Sequence, residues 1–283
     1  MTIGLYMDVK EIAVLMSVYN RKEKTLRCLS LCYEQMDSIT RSGKYRFSVY
    51  LTEDGCTDGT ADAVLEMFPD VHIIHGDGNL FWNRGMCAAW DEAAKSSPDF
   101  YLWLNDDTMI RPGAVACLLE NSAYLGHRAI VAGTAEDAHG VLSYGGRTRY
   151  GRIIQPDPVI PVACDMFNGN LVLVPDYVFR KLGTLDRYYT HSFGDYDYGV
   201  RASRAGVTAV VAPGVLAECD RNPVVPQWRN PDVSIRDRYR AIMGPKGRPF
   251  KEQFRYDFRA YGPFHAVLHF LSLNFKVIFP VRK

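Results

Sequence analysis

Two rhythms of apolar residues alternate along the first hundred positions. Ile12 to Tyr19 is a nearly continuous apolar run of β type, closed by Asn20-Arg21-Lys22. From Thr25 the apolar residues Leu26, Leu29, Tyr33 and Met36 recur at the spacing of one helix face. Phe47 to Thr52 reads as a second strand. It runs into Glu53-Asp54-Gly55-Cys56-Thr57-Asp58-Gly59-Thr60, which is turn chemistry ahead of a short helix near Ala61 to Phe68. Val71 to His75 predicts a third strand, Gly85 to Ala94 a helix and Tyr101 to Leu104 a fourth strand. Such β-α-β-α alternation predicts a parallel sheet with helices on its faces, the plan of an α/β nucleotide-binding domain.

The second half is less regular. Val141 to Ile154, rich in Gly, Tyr and Arg, predicts a loop containing a hairpin. Leu171 to Val174 reads as a strand stopped by Pro175, Asp176 to Leu182 as a short helix, Tyr196 to Ala205 as a helix and Thr208 to Ala212 as a strand. Pro223, Pro226 and Pro231 predict irregular chain. In the tail, Phe264, Val267, Leu268, Leu271, Phe275 and Ile278 fall at helical spacing among Arg248, Lys251, Arg255, Arg259, Lys276, Arg282 and Lys283. A basic, aromatic amphipathic helix suits an anionic membrane surface. Packing on the rest of the chain, or on a second copy of it, is the equal alternative.

Composition narrows the classes. A chain of 283 residues can bury one sizeable core with an appendage. Its 33 basic and 32 acidic residues create no global positive field, so nucleic acid is not an expected partner. Cys28, Cys32, Cys56, Cys87, Cys117, Cys164 and Cys219 form no CxxC pair and predict reduced, mostly buried thiols in the cytoplasm. Met1 to Lys10 lacks the pattern of a signal peptide, and no window predicts a transmembrane helix.

The chemistry concentrates where strands end. Asn105-Asp106-Asp107-Thr108 follows the apolar run Phe100 to Leu104, so adjacent carboxylates are predicted at the carboxyl edge of the sheet. Open α/β sheets hold ligands at that edge. A divalent cation or a ribose would use such acids, whereas a bare turn is the structural alternative. Asp54-Gly55 can likewise be only a tight turn, and Asp58 a helix cap. Arg84 near a helix start could meet a phosphate.

Four elements stand in order: Val18-Tyr19-Asn20-Arg21, then Glu53 to Thr60, then Asn105-Asp106-Asp107, then Gly194-Asp195-Tyr196-Asp197. This order resembles the family 2 glycosyltransferases of the GT-A fold, with their "TYNR", "DDGSTDGT", "DxD" and "EDVDL" elements, over roughly residues 10 to 215. The departures are Glu53 and Cys56 in the second element, Asn105 in the third and Gly194 in the fourth. The resemblance implies a mostly parallel Rossmann-like sheet flanked by helices. It implies a catalytic domain over about residues 1–220, with a donor half near 10–110 and an acceptor half near 111–220. A mainly helical appendage would occupy 221–283.

It also implies roles. Tyr19, Asn20, Arg21, Glu53, Asp54, Asn83, Arg84, Asn105 and Asp106 would meet the nucleotide-sugar, a UDP- or dTDP-sugar. Asp107 would bind Mn²⁺ or Mg²⁺. Asp195 would be the general base of an inverting transfer. Asn168, His191, Phe193, Tyr196 and Asp197 would line the acceptor side. The expected reaction adds one sugar to a saccharide or lipid-linked saccharide in bacterial surface polysaccharide assembly, such as O-antigen or capsule, at the inner face of the cell membrane. The His that often follows the last strand in this fold is absent from Leu216-Ala217-Glu218-Cys219-Asp220. A sugar-phosphate nucleotidyltransferase and a degenerate saccharide-binding domain remain as alternatives.

Overall fold

The computed structural model describes residues 9–221 and 226–280. In chain order the elements are β1 (Lys10–Val18), α1 (Lys22–Thr40), β2 (Tyr45–Glu53), α2 (Thr60–Met67), β3 (His72–His75), α3 (Phe81–Ala94), β4 (Phe100–Leu104), β5 (Met109–Ile110) and α4 (Ala114–Tyr124). Then come β6 (Ile130–Ala132), β7 (Ala135–Glu136), β8 (Leu142–Tyr144), β9 (Gly146–Arg147), β10 (Val162–Cys164), β11 (Met166–Phe167), β12 (Leu171–Pro175) and α5 (Asp176–Leu182). The remainder is α6 (Gly194–Arg204), β13 (Ala209–Val211), β14 (Ala217–Glu218), α7 (Ile235–Met243), α8 (Phe250–Tyr261) and α9 (Pro263–Ile278).

One eight-stranded sheet runs β10-β13-β6-β12-β4-β1-β2-β3. β1, β2, β3 and β4 are parallel, as the alternation predicts. β12, beyond that alternation, lies antiparallel between β4 and β6, so the sheet is mixed though mostly parallel. Its sequence carries no sign of direction, because a strand buried on both faces is apolar throughout. α4 and β6 have no counterpart in the sequence reading, and α3 begins at Phe81 rather than Gly85.

Alternate residues of β1 feed two cores, as the two-residue period of a strand requires. Ile12, Val14, Met16 and Val18 face Cys28, Leu29, Cys32 and Met36 of α1 together with Leu118 of α4. Ala13 and Leu15 face Trp90, Trp103 and Tyr198 on the side of α3 and α6. The carboxyl ends of β1, β2 and β4 therefore share one edge. β12 starts at that edge, since Leu171 pairs with Leu104.

Of the C-terminal helices, α8 packs on the rest of the chain and α9 leaves an apolar face open. α8 is tied to the sheet domain: Tyr256 packs with Phe193 and Tyr189, Arg259 pairs with Asp197 and Asp186, and Arg255 pairs with Asp186. α9 buries Ala266, Leu273 and Val277 but leaves Phe264, Val267, Leu268, Leu271, Phe275 and Ile278 exposed. Among the described residues, no helix is long and apolar enough to cross a membrane. Pro223, Arg282 and Lys283 lie outside the described residues.

Candidate active site

The strand-tip acids are held by their neighbours. Asn105 takes its backbone partner from the start of β12, with its N–H donating to the Asn170 carbonyl at 3.0 Å. Its side-chain oxygen accepts from Trp82 Nε1 at 2.7 Å. Arg21, from the end of β1, donates through one nitrogen to Asp106 Oδ1 at 3.2 Å and to Asp107 Oδ2 at 2.5 Å. Asp106 is buried, and its Oδ2 has no partner among the described residues. Burial pushes its carboxyl up to about 7, against the pull of Arg21 and with the help of Asp107. Cys219, after the last short strand, points its Sγ at Asp107 Oδ1, 3.7 Å away. A cationic guanidinium already sits between two carboxylates, and a buried carboxylate oxygen is left unpaired. That oxygen donor set fits a divalent cation such as Mg²⁺ or Mn²⁺.

The turn after β2 is tightly bound. Asp54 accepts from three backbone N–H groups: Gly78 at 2.9 Å, Leu80 at 3.1 Å and Phe81 at 2.7 Å. Its carboxylate thus anchors the start of α3. Glu53 accepts from Cys56 N–H at 2.8 Å and from His75 Nδ1 at 2.7 Å. Burial opposes its ionisation, but these hydrogen bonds hold it below the usual carboxylate range. Asn20, in the left-handed region at φ +50°, accepts from Thr57 N–H at 2.8 Å and so fastens this turn to β1. Asp58 accepts from Lys22 N–H and Thr60 N–H, satisfying free donors at the starts of both α1 and α2. Tyr19 is about half exposed beside this group, at 51%.

Asp195 lies within the first turn of α6. It is not the residue that precedes the helix, as a cap would be; Phe193 holds that place at φ +73°. A bulky residue in the left-handed region is strained. Here Phe193 is stacked on Tyr256, with ring centres 5.5 Å apart. Asp195 Oδ2 accepts from Gly169 N–H at 3.0 Å and Oδ1 from Tyr196 N–H at 2.8 Å. Each oxygen keeps a further lone pair. Burial raises this carboxyl to about 6, although both backbone donors favour the charged form.

The remaining expected residues divide into two groups. Asn168 accepts from Arg147 Nε at 2.8 Å and donates to the Tyr196 hydroxyl at 3.1 Å, beside Asp195. His191 lies edge-on to Phe81, and its Nδ1 is buried with no partner among the described residues. Burial, reinforced by Lys246 and Arg21, lowers His191 to about 4, so its imidazole is neutral near pH 7. The other group is buried or engaged by protein partners. Asp197 is fully buried, bonded to the Tyr189 hydroxyl at 3.0 Å, Arg201 Nε at 3.0 Å and Arg259 at 2.6 Å. Asn83 is also fully buried, donating to the carbonyls of Asp186 at 3.0 Å and Tyr189 at 2.7 Å. Arg84 donates to the Arg187 carbonyl at 3.3 Å. Phe193 is buried rather than open to a ligand.

Two glycines explain how these parts fit. A Cβ at Gly194 would land inside the Asn83 side-chain amide. A Cβ at Gly169 would meet the Trp82 ring at 2.5 Å. Asn83 and Trp82, on neighbouring positions of α3, therefore fill space that larger residues at 194 and 169 would need.

Comparison with known proteins agrees with this geometry. The model of "Glycosyl transferase family 2" matches residues 13–173. An N-acetylglucosaminyl-diphospho-decaprenol L-rhamnosyltransferase of Mycobacterium tuberculosis is 24% identical over 232 residues, covering 71% of this chain and 72% of that protein. Among solved structures, a mannosyltransferase of Pyrobaculum calidifontis in complex with GDP-Man and Mn²⁺ aligns with TM-score 0.53 at 18% identity, covering 96% of this chain and 71% of that one. S. aureus TarS 1-349 in complex with UDP-GlcNAc aligns with TM-score 0.56 at 13% identity, covering 95% and 73%. Because the family model spans more than half of its length, this protein belongs to glycosyl transferase family 2 and is a glycosyltransferase of the GT-A fold.

Proposed function

We propose that this glycosyltransferase moves a single sugar, with inversion, from a nucleotide-sugar to a hydroxyl of a saccharide or lipid-linked saccharide. The observation that carries the reading is Asp195. It is a carboxylate with one free lone pair on each oxygen, fixed by Gly169 and Tyr196 N–H groups beside β12, whose start adjoins the Asp106–Asp107 edge. An inverting displacement needs one base on the acceptor side. Asp195 takes the acceptor hydroxyl proton, the acceptor oxygen bonds to the anomeric carbon, and the bond from that carbon to the diphosphate oxygen breaks. Asn168 and Tyr196 position the acceptor beside Asp195, and neutral His191 offers it a hydrogen bond.

On the donor side, Tyr19 lies against the base. The unpaired Asp106 Oδ2 accepts from a donor hydroxyl. Asp107, with Asp106 beside it, would hold Mn²⁺ or Mg²⁺. When bound, such an ion offsets the diphosphate's negative charge. Arg21 turns from the two carboxylates toward the phosphates. Glu53 and Asp54 shape this pocket through the backbone they hold.

Lipid linkage suits the exposed apolar face of α9. That face rests on the membrane that carries the acceptor, as the decaprenol-linked substrate in the Mycobacterium tuberculosis relative's name suggests. Arg255 and Arg259 are engaged with Asp186 and Asp197, so attraction to the membrane is mainly apolar. The setting this supports is surface polysaccharide assembly at the cytoplasmic face of a bacterial membrane.

A thermal-shift screen of UDP-, dTDP- and GDP-sugars with Mn²⁺ tests the donor side, since ligand bound only to the folded state raises stability. Metal-dependent transfer or slow hydrolysis of the stabilising donor is expected. If no nucleotide-sugar stabilises the protein or is turned over, the reading fails.

A further inference from the structure

Outside the cleft, a carboxylate and two imidazoles converge where α8 turns back into α9. The chain reverses at Gly262, whose φ of +92° lies in the left-handed region that glycine tolerates. His265 and His269 are four residues apart on α9, so they share one face a turn apart. Asp257 of α8 opposes them. It is buried, at 1% exposed, while His269 is partly buried and His265 is open to solvent. One candidate ligand atom from each of the three lies within 4.8 Å of the other two. Asp257 Oδ2 is 2.7 Å from His269 Nδ1, and Asp257 Oδ1 accepts from Gln253 Nε2 at 3.0 Å. The His265 ring packs on Tyr261, 4.5 Å between centres.

We propose that Asp257, His265 and His269 form a transition-metal site of Zn²⁺ type that staples α8 to α9. A tetrahedral Zn²⁺ takes imidazole nitrogen and carboxylate oxygen at about 2.0–2.2 Å, which sets its ligand atoms roughly 3.4 Å apart. Here the Asp257–His269 pair is closer than that, and the three ligand atoms lie within 4.8 Å of one another. Rotation of the exposed His265 ring inward, with the Asp257–His269 hydrogen bond opening, makes room for the ion between the three. Gln253 then serves as the outer partner that orients the carboxylate, a role that metal-bound carboxylates commonly need. Two protein nitrogens and one oxygen leave one position for water. Imidazole ligands favour Zn²⁺ over Mn²⁺ and Mg²⁺, whereas the all-carboxylate pair Asp106–Asp107 favours the harder ions. The two sites therefore separate by metal type. Arg248 lies in the field of Asp257, and a bound dication must coexist with it. The buried Asp257 carboxylate is the counter-charge for both.

The staple has a structural consequence. α8 carries Arg259 and Arg255, which hold Asp197 and Asp186. α9 carries the exposed apolar face. A metal across them fixes that face relative to the catalytic domain.

The test uses the full chain, stripped of metal by chelator and then saturated with Mn²⁺, with Zn²⁺ as the calorimetric titrant. One Zn²⁺ per chain is expected. H265A removes an exposed ring and leaves the Asp257–His269 contact intact, so it should fold. It should weaken Zn²⁺ binding by more than the roughly 10–100-fold that loss of a supporting partner costs. D107N should leave this Zn²⁺ affinity unchanged. Zn²⁺ should raise the melting temperature of the wild type and of D107N but not of H265A. Co²⁺ substitution gives an independent readout: visible absorption of four-coordinate type in the wild type, lost in H265A. No Zn²⁺ binding above Mn²⁺, equal affinity in H265A, or loss in D107N alone each overturns the proposal.

Discussion

Replacing Asp195 with Asn separates chemistry from stability, because in the wild type turnover should rise and stability should fall as pH passes through about 6, and the variant should show neither change. The carboxyl sits at about 6 against an ordinary 3.8, chiefly through burial. At ~1.4 kcal/mol per pH unit, that gap is worth ~3 kcal/mol. The folded chain binds this proton more tightly than the unfolded chain. The contribution to stability is therefore complete below the unfolded pKa and is lost as pH rises through about 6. Between pH 4 and 7 the wild type should lose roughly 2 kcal/mol that Asp195→Asn does not lose. The amide cannot accept from both the Gly169 and Tyr196 N–H groups with two oxygens, since it has one; that costs about 1–3 kcal/mol at every pH. Turnover tells the other half. Loss of a positioned base should lower kcat by about 10²–10⁴-fold, with donor affinity nearly unchanged. In the wild type, kcat should rise with pH up to a shoulder near 6, where the base ionises. The assays are urea denaturation at several pH values and steady-state rates on any accepted acceptor. A variant with near-normal turnover, or one that keeps the rising limb near pH 6, would refute Asp195 as the base.

Other substitutions probe neighbouring roles. Asp107→Asn should abolish Mn²⁺-dependent nucleotide affinity by calorimetry. Its stability should stay within about 0.5 kcal/mol, since this partly exposed carboxylate sits at a strand tip rather than in the core; an unchanged affinity would remove it from the metal site. Asp197→Asn should destabilise by about 3–5 kcal/mol in denaturant, because it leaves Arg201 and Arg259 facing a neutral group inside the protein. Gly194→Ala should destabilise by about 1–3 kcal/mol, and combining it with Asn83→Ala should cost less than the two separate losses; simple additivity would mean the two positions do not compete for space. Changing Phe264, Leu268 and Leu271 to Ser should weaken binding to vesicles on the order of a hundredfold without unfolding the chain. If the triple variant pellets as before, or changes only the oligomeric state, α9 faces something other than a bilayer.

The sequence carried the order of the parallel strands because their apolar runs and the turns between them are local signals. Asp176–Leu182 matches the helix read from the chain residue for residue. The direction of β12 and the existence of β6 were not legible. Both strands are apolar on both faces, and short buried strands of that kind look alike whichever way they run. The tail shows the same limit. Helical spacing revealed an amphipathic α9, but charge alone could not show that Arg255 and Arg259 face Asp186 and Asp197 rather than water.

At the site, the motif order pointed to the edge where β1, β2 and β4 end together, but could not separate side chains with open oxygens from those that hold the frame. Asp54 and Asp197 belong to acidic motifs, yet Asp197 has both oxygens filled by protein donors and Asp54 spends three acceptor sites on the backbone at the start of α3. The departure at Gly194 was visible as a missing Glu, but the lack of room there was not. On another helix, the Asn83 amide occupies the volume a side chain at 194 would take and uses its own N–H groups to fix the Asp186 and Tyr189 carbonyls. Those carbonyls belong to the segment leading into α6. Asn83 thus supplies from α3 a support for the segment that leads into the helix start. Asp195 keeps its place beside Gly194 while the Asn83 amide, more than a hundred positions away, fills the adjoining space, a fit that a single sequence contains but cannot display.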